Sequence, residues 1–101
     1  MASYTKADWL QLKTEAEPIV SGLATAMLSG LPASSPAAMD LAEQHRQHIT
    51  RWFYDCSLEI HAGLGEAYVA DPRFAAVFET VREGLAVYVR DAIQANVARR
   101  S

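Results

Sequence analysis

The three histidines and the single cysteine of this 101-residue chain lie close together, between His45 and His61. His45 and His48 are three residues apart, a spacing that places two imidazoles on the same side of a helix. Such a pair can bind a metal ion, and Cys56 or His61 could complete the ligand set. The sequence has no HExxH motif, no second cysteine and no carboxylate on the same helix face, so we expect no metal site here.

Cys56 is also a candidate nucleophile. It precedes Ser57 at a predicted helix start, where backbone N–H groups and the helix dipole favour a thiolate. Asp55 and Glu59 act in the opposite direction, because neighbouring negative charge raises the pKa of a thiol. From the residues alone, a reactive thiol and a small buried hydrophobic side chain both stay open as interpretations. The chain shows no Ser–His–Asp order, no glycine-rich phosphate loop and no inward carboxylate pair, so we predict no enzyme.

Helical periodicity and strong boundary signals predict an all-α bundle of five helices that positions these residues. The first helix is expected to continue through Pro18 as one bent helix, because its apolar stripe stays in phase across the proline. The expected limits are Thr5 to Ser29, Pro36 to about Tyr54, a third helix from near Ser57, a fourth from Asp71-Pro72 and a fifth after Arg82–Gly84.

Several polar side chains fall on faces that should be apolar. Projected on helices, His45 and His61 lie within inward arcs, His48 lies at the edge of its arc beside Trp52, and Asn96 shares the inner face of the fifth helix. Each costs free energy unless it is hydrogen-bonded. They are either satisfied core residues or the polar groups of an apolar pocket, and the residues alone leave both interpretations open.

Composition and charge exclude several classes of protein. The formal charge of −3 and pI near 5.5 provide no basic surface for nucleic acid. No apolar run is long enough to span a membrane, and the start MASYTKADW lacks the features of a signal peptide. A single cysteine fits a reducing compartment. We therefore expect one cytoplasmic domain that binds neither nucleic acid nor membrane.

Three stretches carry a resemblance to a known family: HRQHITRWFYDCS, then H-x-G-L-G-E-x-Y-V-A-D-P-R-F, then GLAVYVRDAI. They resemble the TipAS antibiotic-recognition domain, the drug-binding effector domain of MerR-type transcriptional regulators, and the likeness extends from YTKADW to the C-terminus. It implies a globin-like all-α fold with a wide cleft for bulky, largely apolar antibiotics such as thiopeptides. In some members a cysteine thiol adds to a dehydroalanine of the drug, and Cys56 matches the position of that cysteine.

With this resemblance, residues 1–101 are expected to form a single TipAS-like domain that binds a small-molecule or peptide antibiotic and needs no cofactor. Cys56 is the expected covalent anchor. The MerR DNA-binding domain, its coiled coil and the helices that usually precede YTKADW are expected to be absent. The expected ligand-binding residues are His45, His48, Trp52, Cys56, His61, Tyr68, Phe74, Phe78 and Tyr88. The alternative is a protein–protein interaction module, with a homodimer as one form, and a metal- or haem-binding domain is the third and weakest hypothesis.

Overall fold

The computed structural model describes residues 4–101, which form five α-helices and no strand. The predicted all-α, five-helix bundle is therefore confirmed, and the helix limits lie within about two residues of the expected ones. The second helix ends at Trp52 instead of Tyr54. The helices are α1 (Lys6–Leu28), α2 (Pro36–Trp52), α3 (Leu58–Ala70), α4 (Pro72–Val81) and α5 (Leu85–Arg100).

Local capping explains where these helices begin. The side chains of Ser35, Ser57 and Asp71 each accept a hydrogen bond from a backbone N–H of the first turn that follows. A proline occupies the first position of α2 and of α4, where a missing N–H costs nothing. Helix α1 continues through Pro18 without interruption, as its apolar stripe predicted.

Helix α5 is central to the bundle and packs against all four other helices. Its buried face supplies Leu85, Val89 and Ile93 to a core that also includes Leu23 of α1 and Phe78 of α4. These apolar side chains provide the main driving force for folding, at about 25 cal/mol for each Å² of apolar surface removed from water. The polar site residues on α2 and α3 are held in place by this core.

Gly65 lets α3 approach α5 closely. A Cβ atom added at Gly65 would lie 3.5 Å from both Arg90 Cγ and Ile93 Cγ2, so the two helices are already in van der Waals contact there. A glycine on the inner arc of a helix indicates either a close helix approach or space for a pocket, and the structure shows the close approach. As a result His61, one turn earlier on α3, is completely buried.

Helical projection places Trp9 of α1, Ile60 of α3 and Val77 of α4 on the apolar stripes of their helices, which predicts that they face inward, but all three are exposed to solvent. Trp9, Ile60 and Val77 are 48%, 45% and 63% exposed, respectively. The prediction for Ile60 was wrong, because periodicity identifies the apolar face of a helix but not whether another element covers it. No helix within residues 4–101 is long and apolar enough to cross a membrane.

Candidate functional site

A pair of histidines joins α2 to α3. Nδ1 of His45 lies 2.9 Å from Nε2 of His61, which is hydrogen-bond distance, and the ring centroids are 5.1 Å apart. His61 is fully buried and His45 is partly buried. Burial is the main cause that lowers the pKa of His45 to about 3 and the pKa of His61 to about 4. Both imidazoles are therefore neutral at physiological pH.

Aromatic side chains pack against one side of this histidine pair. The ring of Tyr68 lies 6.0 Å from that of His45, 5.8 Å from that of Phe74 and 5.1 Å from that of Phe78. These distances are typical of packed aromatic rings. We call His45, His61, Tyr68, Phe74 and Phe78 the aromatic–histidine cluster. Phe78 is buried, whereas Phe74 is 46% exposed, so the cluster opens to solvent on the Phe74 side.

The turn between α2 and α3 adds two exposed aromatic side chains to the protein surface. Phe53 and Tyr54 are 53% and 47% exposed, although a projection of α2 extended to Tyr54 predicts that Phe53 lies in the inward arc. Helix α2 ends before Phe53, so the helical projection did not apply to it.

Burial, together with the neighbouring Tyr54 and Cys56, raises the pKa of Tyr68 to about 12, which keeps its phenol protonated.

A hydrogen-bonded network holds that turn to the bundle. Arg46 donates from Nε and Nη2 to both carboxylate oxygens of Glu43, and its Nη1 donates to the carbonyl of Cys56 at 2.9 Å. Asn96 of α5, which is fully buried, donates to Glu43 Oε1 at 2.9 Å. The bonds from Arg46 are the largest cause that lowers the pKa of Glu43 to about 2. A helical projection of α2 places Glu43 and Arg46 opposite its apolar arc and so predicts that both face solvent, but the bonds to Asn96 and to the Cys56 carbonyl show that this prediction is wrong.

Cys56 is buried, with 2% of its surface exposed. Ser57 caps α3, so Cys56 lies immediately before the helix start, as the sequence predicted. Burial is the largest effect and raises the pKa of the Cys56 thiol, while the nearby Arg46 acts in the opposite direction. In this conformation burial therefore favours the neutral thiol over the thiolate.

Two of the predicted residues face α1 instead of the aromatic–histidine cluster. His48 Nε2 donates to the carbonyl of Leu12 at 3.0 Å, and Trp52 Nε1 donates to Glu15 at 2.9 Å. A cavity of about 320 Å³ lies between α1 and α2. His48 is the only predicted ligand-binding residue in its lining, which comprises Glu15, Ile19, Glu43, Gln44, Gln47, His48 and Arg51.

The predicted site residues therefore occupy separate places. The hydroxyl of Tyr88 donates to the carbonyl of Leu31 at 2.9 Å, in the linker between α1 and α2. Five predicted residues form the aromatic–histidine cluster, Cys56 is buried within the adjoining turn, and His48 and Trp52 contact α1. Sequence reasoning missed Tyr54 and Phe53 as surface aromatics, although three consecutive aromatic residues at a helix end cannot all face one core.

Within the described part of the chain, the structure contains no group of three or more His, Cys, Asp or Glu side chains that could hold a metal ion. The structure is that of a small all-helical domain with an open aromatic face beside buried polar groups. The sequence model of the TipAS antibiotic-recognition domain matches residues 1–96, and the chain belongs to that family.

Known relatives agree with this assignment. The chain is 48% identical over 100 residues to the HTH-type transcriptional activator TipA of Streptomyces coelicolor, and the match covers 99% of this chain and 40% of TipA. It is 47% identical to TipAS of Streptomyces lividans, solved in complex with nosiheptide, with a TM-score of 0.91 over 97% of this chain and 68% of that one.

A second solved structure is the antibiotic-binding domain of a TipA-class multidrug resistance transcriptional regulator. It has 45% identity and a TM-score of 0.83, and the match covers 92% of this chain and 99% of that domain. The chain thus spans less than half of the length of TipA but nearly all of an isolated antibiotic-binding domain.

Proposed function

We propose that this chain binds bulky, largely apolar antibiotics of the thiopeptide kind. It would do so as the effector-sensing domain of a cytoplasmic MerR-type transcriptional regulator or as a free-standing drug-binding protein, and not as an enzyme. The single observation that carries the proposal is the likeness to TipAS, whose solved structure contains nosiheptide. The open aromatic face of this chain has the chemistry that such a ligand requires.

The aromatic–histidine cluster is the proposed main wall of the binding site. Phe74, at 46% exposed, leaves apolar surface in water that a ligand can cover, and Tyr54 extends the same type of surface. Covering apolar area is favourable by about 25 cal/mol for each Å². Tyr68 would donate a hydrogen bond from its protonated phenol, and His45 would supply a polar contact within the apolar wall.

The cavity between α1 and α2 is the proposed second contact region. His48 borders it directly, and Trp52 lies beside it through its bond to Glu15. At about 320 Å³ the cavity is at the small end of ligand pockets, so it suits one ring of a large ligand and not the whole molecule. Tyr88 would act indirectly, by fixing the linker at Leu31.

Calorimetric titration of the chain with nosiheptide tests non-covalent binding. We expect Phe74→Ala to weaken binding by about tenfold, because the side chain offers a large aromatic contact. Trp9→Ala is the matched control, since Trp9 is also a half-exposed aromatic residue but lies on α1 against Tyr4. Equal losses in the two variants, or no binding by the wild-type chain, would contradict the proposal.

Cys56 is the proposed covalent anchor for ligands that contain dehydroalanine. The thiol sulfur would form a bond to the β-carbon, the C=C π bond would break, and the α-carbon would take up the proton that the thiol loses. Because the thiol is 2% exposed and its pKa is raised, the turn from Phe53 to Ser57 must open first. We therefore expect capture to be much slower than non-covalent binding.

Mass spectrometry of the intact protein checks this step. Incubation with nosiheptide is expected to give a slow increase by the mass of one ligand, and Cys56→Ser should abolish it while non-covalent binding persists. An adduct that survives in Cys56→Ser would place the anchor elsewhere. If the wild-type chain binds nosiheptide but its mass never increases, covalent capture is refuted and the proposal of non-covalent binding stands.

Self-association is the second candidate function. Val77 and Val81 on α4 are 63% and 52% exposed, an apolar surface of the type that helical dimers cover. Sedimentation of the free chain separates the two candidates. A monomer whose melting temperature rises with nosiheptide supports the antibiotic site, and a dimer that is indifferent to the ligand supports the interaction module.

A further inference from the structure

The hydrogen bond between His45 and His61 contains one proton, which is carried either by His45 Nδ1 or by His61 Nε2. Which nitrogen carries it decides whether the outer nitrogen of His45 is a hydrogen-bond acceptor or a donor for a ligand. Because burial lowers the pKa of both imidazoles, each ring carries a single proton at neutral pH. Either His45 Nδ1–H donates to His61 Nε2, or His61 Nε2–H donates to His45 Nδ1. Each arrangement also fixes the state of the outer nitrogen of each ring.

The surroundings of His61 distinguish the two arrangements. His61 Nδ1 is the only fully buried side-chain nitrogen or oxygen within residues 4–101 that lacks a hydrogen-bond partner. If His45 were the donor, His61 would carry its proton on Nδ1, as a buried N–H with nothing to accept it. If His61 is the donor, Nδ1 keeps only a lone pair. Unpartnered buried N–H groups are rarer in proteins than under-satisfied acceptors, so the second arrangement is favoured.

The outer nitrogen of His45 has different surroundings. Nε2 of His45 also has no partner within residues 4–101, but it is not among the fully buried atoms, so it retains contact with solvent. The His45 ring lies 6.0 Å from that of Tyr68, beside the half-exposed Phe74. Its Nε2 is therefore a polar atom of an otherwise aromatic surface.

From this geometry we infer that His61 is a positioning residue that fixes His45 as a hydrogen-bond donor, with Nε2–H directed out of the aromatic–histidine cluster. The inference rests on the proposed function and names the ligand chemistry of that site. A ligand must bring an acceptor, such as a carbonyl oxygen or an azole or pyridine ring nitrogen, to His45. A ligand that brings an N–H donor to this point is disfavoured, because two donors face each other.

The tautomers can be measured without any ligand. In ¹⁵N-labelled protein at neutral pH, long-range ¹H–¹⁵N correlations report which nitrogen of each imidazole is protonated. We expect Nε2 to be protonated and Nδ1 unprotonated in both His45 and His61. His48 is the internal reference, because its Nε2 donates to a carbonyl and must carry the proton. A protonated Nδ1 in His45 would overturn the inference.

Two substitutions of His61 separate positioning from packing. The amide nitrogen of glutamine reaches the place of Nε2 and can still donate to His45, so His61→Gln should preserve the His45 tautomer. His61→Phe removes the donor, and His45 should then populate both tautomers. If the phenylalanine variant does not fold, the tautomers of the wild-type chain decide the matter, since a protonated Nδ1 in His45 contradicts donation by His61.

Binding of nosiheptide tests the ligand half of the inference. We expect His45→Phe to weaken binding by about fivefold, the usual net effect of one hydrogen bond. His45→Gln, which restores a donor near Nε2, should bind within about twofold of the wild type by the same reasoning. Val87→Ala on α5 is the neutral control. Equal binding by the wild type and His45→Phe would refute the donor role, whereas a wild type that binds no nosiheptide would refute the proposed function and leave the tautomer result standing.

Discussion

Two polar clusters meet on α2, and their surroundings differ. The carboxylate of Glu43 accepts hydrogen bonds from Arg46, Gln47 and Asn96, so its capacity is used within the protein. The His45–His61 pair has one internal bond and, within residues 4–101, leaves one fully buried nitrogen and one that is not fully buried without a partner. A saturated cluster stabilises the fold, whereas a cluster with unused hydrogen-bonding groups beside an open aromatic face is suited to a ligand.

The largest expected effect comes from the acid titration of the histidine pair. The pKa values of about 3 and about 4 in the folded chain lie below the usual 6.5. As the pH falls below 6.5 the unfolded chain therefore binds more protons than the folded chain, and the free energy of unfolding decreases. From pH 6.5 down to pH 4 we expect the free energy of unfolding to decrease by roughly 5 kcal/mol, to which the two histidines contribute about equally. Urea denaturation at a series of pH values measures this decrease.

His61→Gln provides the comparison for that titration, because glutamine does not titrate. Its free energy of unfolding should change less over the same pH range. Identical slopes in the variant and the wild type would show that the histidine pair is not the source of the acid sensitivity.

The saturated cluster should respond in a lower pH range and by a smaller amount. Glu43→Gln keeps the shape of the side chain but removes its charge, and we expect a loss of about 2 kcal/mol at neutral pH. The folded pKa of about 2 lies below the ordinary 4.5, so this stability is complete above pH 4.5 and disappears as the pH falls toward 2. Chemical denaturation of both proteins should therefore converge in acid.

Glu17→Gln is the matched control, since Glu17 is an exposed carboxylate on α1. It should change the free energy of unfolding by less than about 0.5 kcal/mol. A Glu43→Gln protein as stable as this control would contradict a stabilising role for the network.

Local signals in the sequence predicted most of the fold. The Ser35-Pro36 and Asp71-Pro72 pairs place helix starts through hydrogen bonds within a few residues, so no tertiary information was needed. Helical projection also placed His61 and Asn96 in the interior, because each lies on an arc whose other members are apolar.

The site was less accessible to the same reasoning. The pairing of His45 with His61 depends on how the turn after Trp52 directs α3, and a projection of single helices contains no such information. The burial of Cys56 and the inward position of Glu43 depend likewise on Arg46, which joins a carboxylate on its own helix to a carbonyl in the turn. Long-range polar pairs of this kind require the three-dimensional structure.

The smallest expected effect comes from substitutions at Gly63 and Gly65 of α3, which have different surroundings. A Cβ atom added at Gly63 meets nothing within 4 Å, whereas one added at Gly65 meets Arg90 and Ile93 at 3.5 Å. Glycine in a helix costs up to about 1 kcal/mol relative to alanine, so Gly63→Ala should stabilise the protein by about 0.7 kcal/mol. Gly65→Ala should gain less, because its methyl group enters a packed contact between α3 and α5. Thermal denaturation of both variants measures the difference, and a larger gain at Gly65 would show that the α3–α5 contact is looser than its distances indicate.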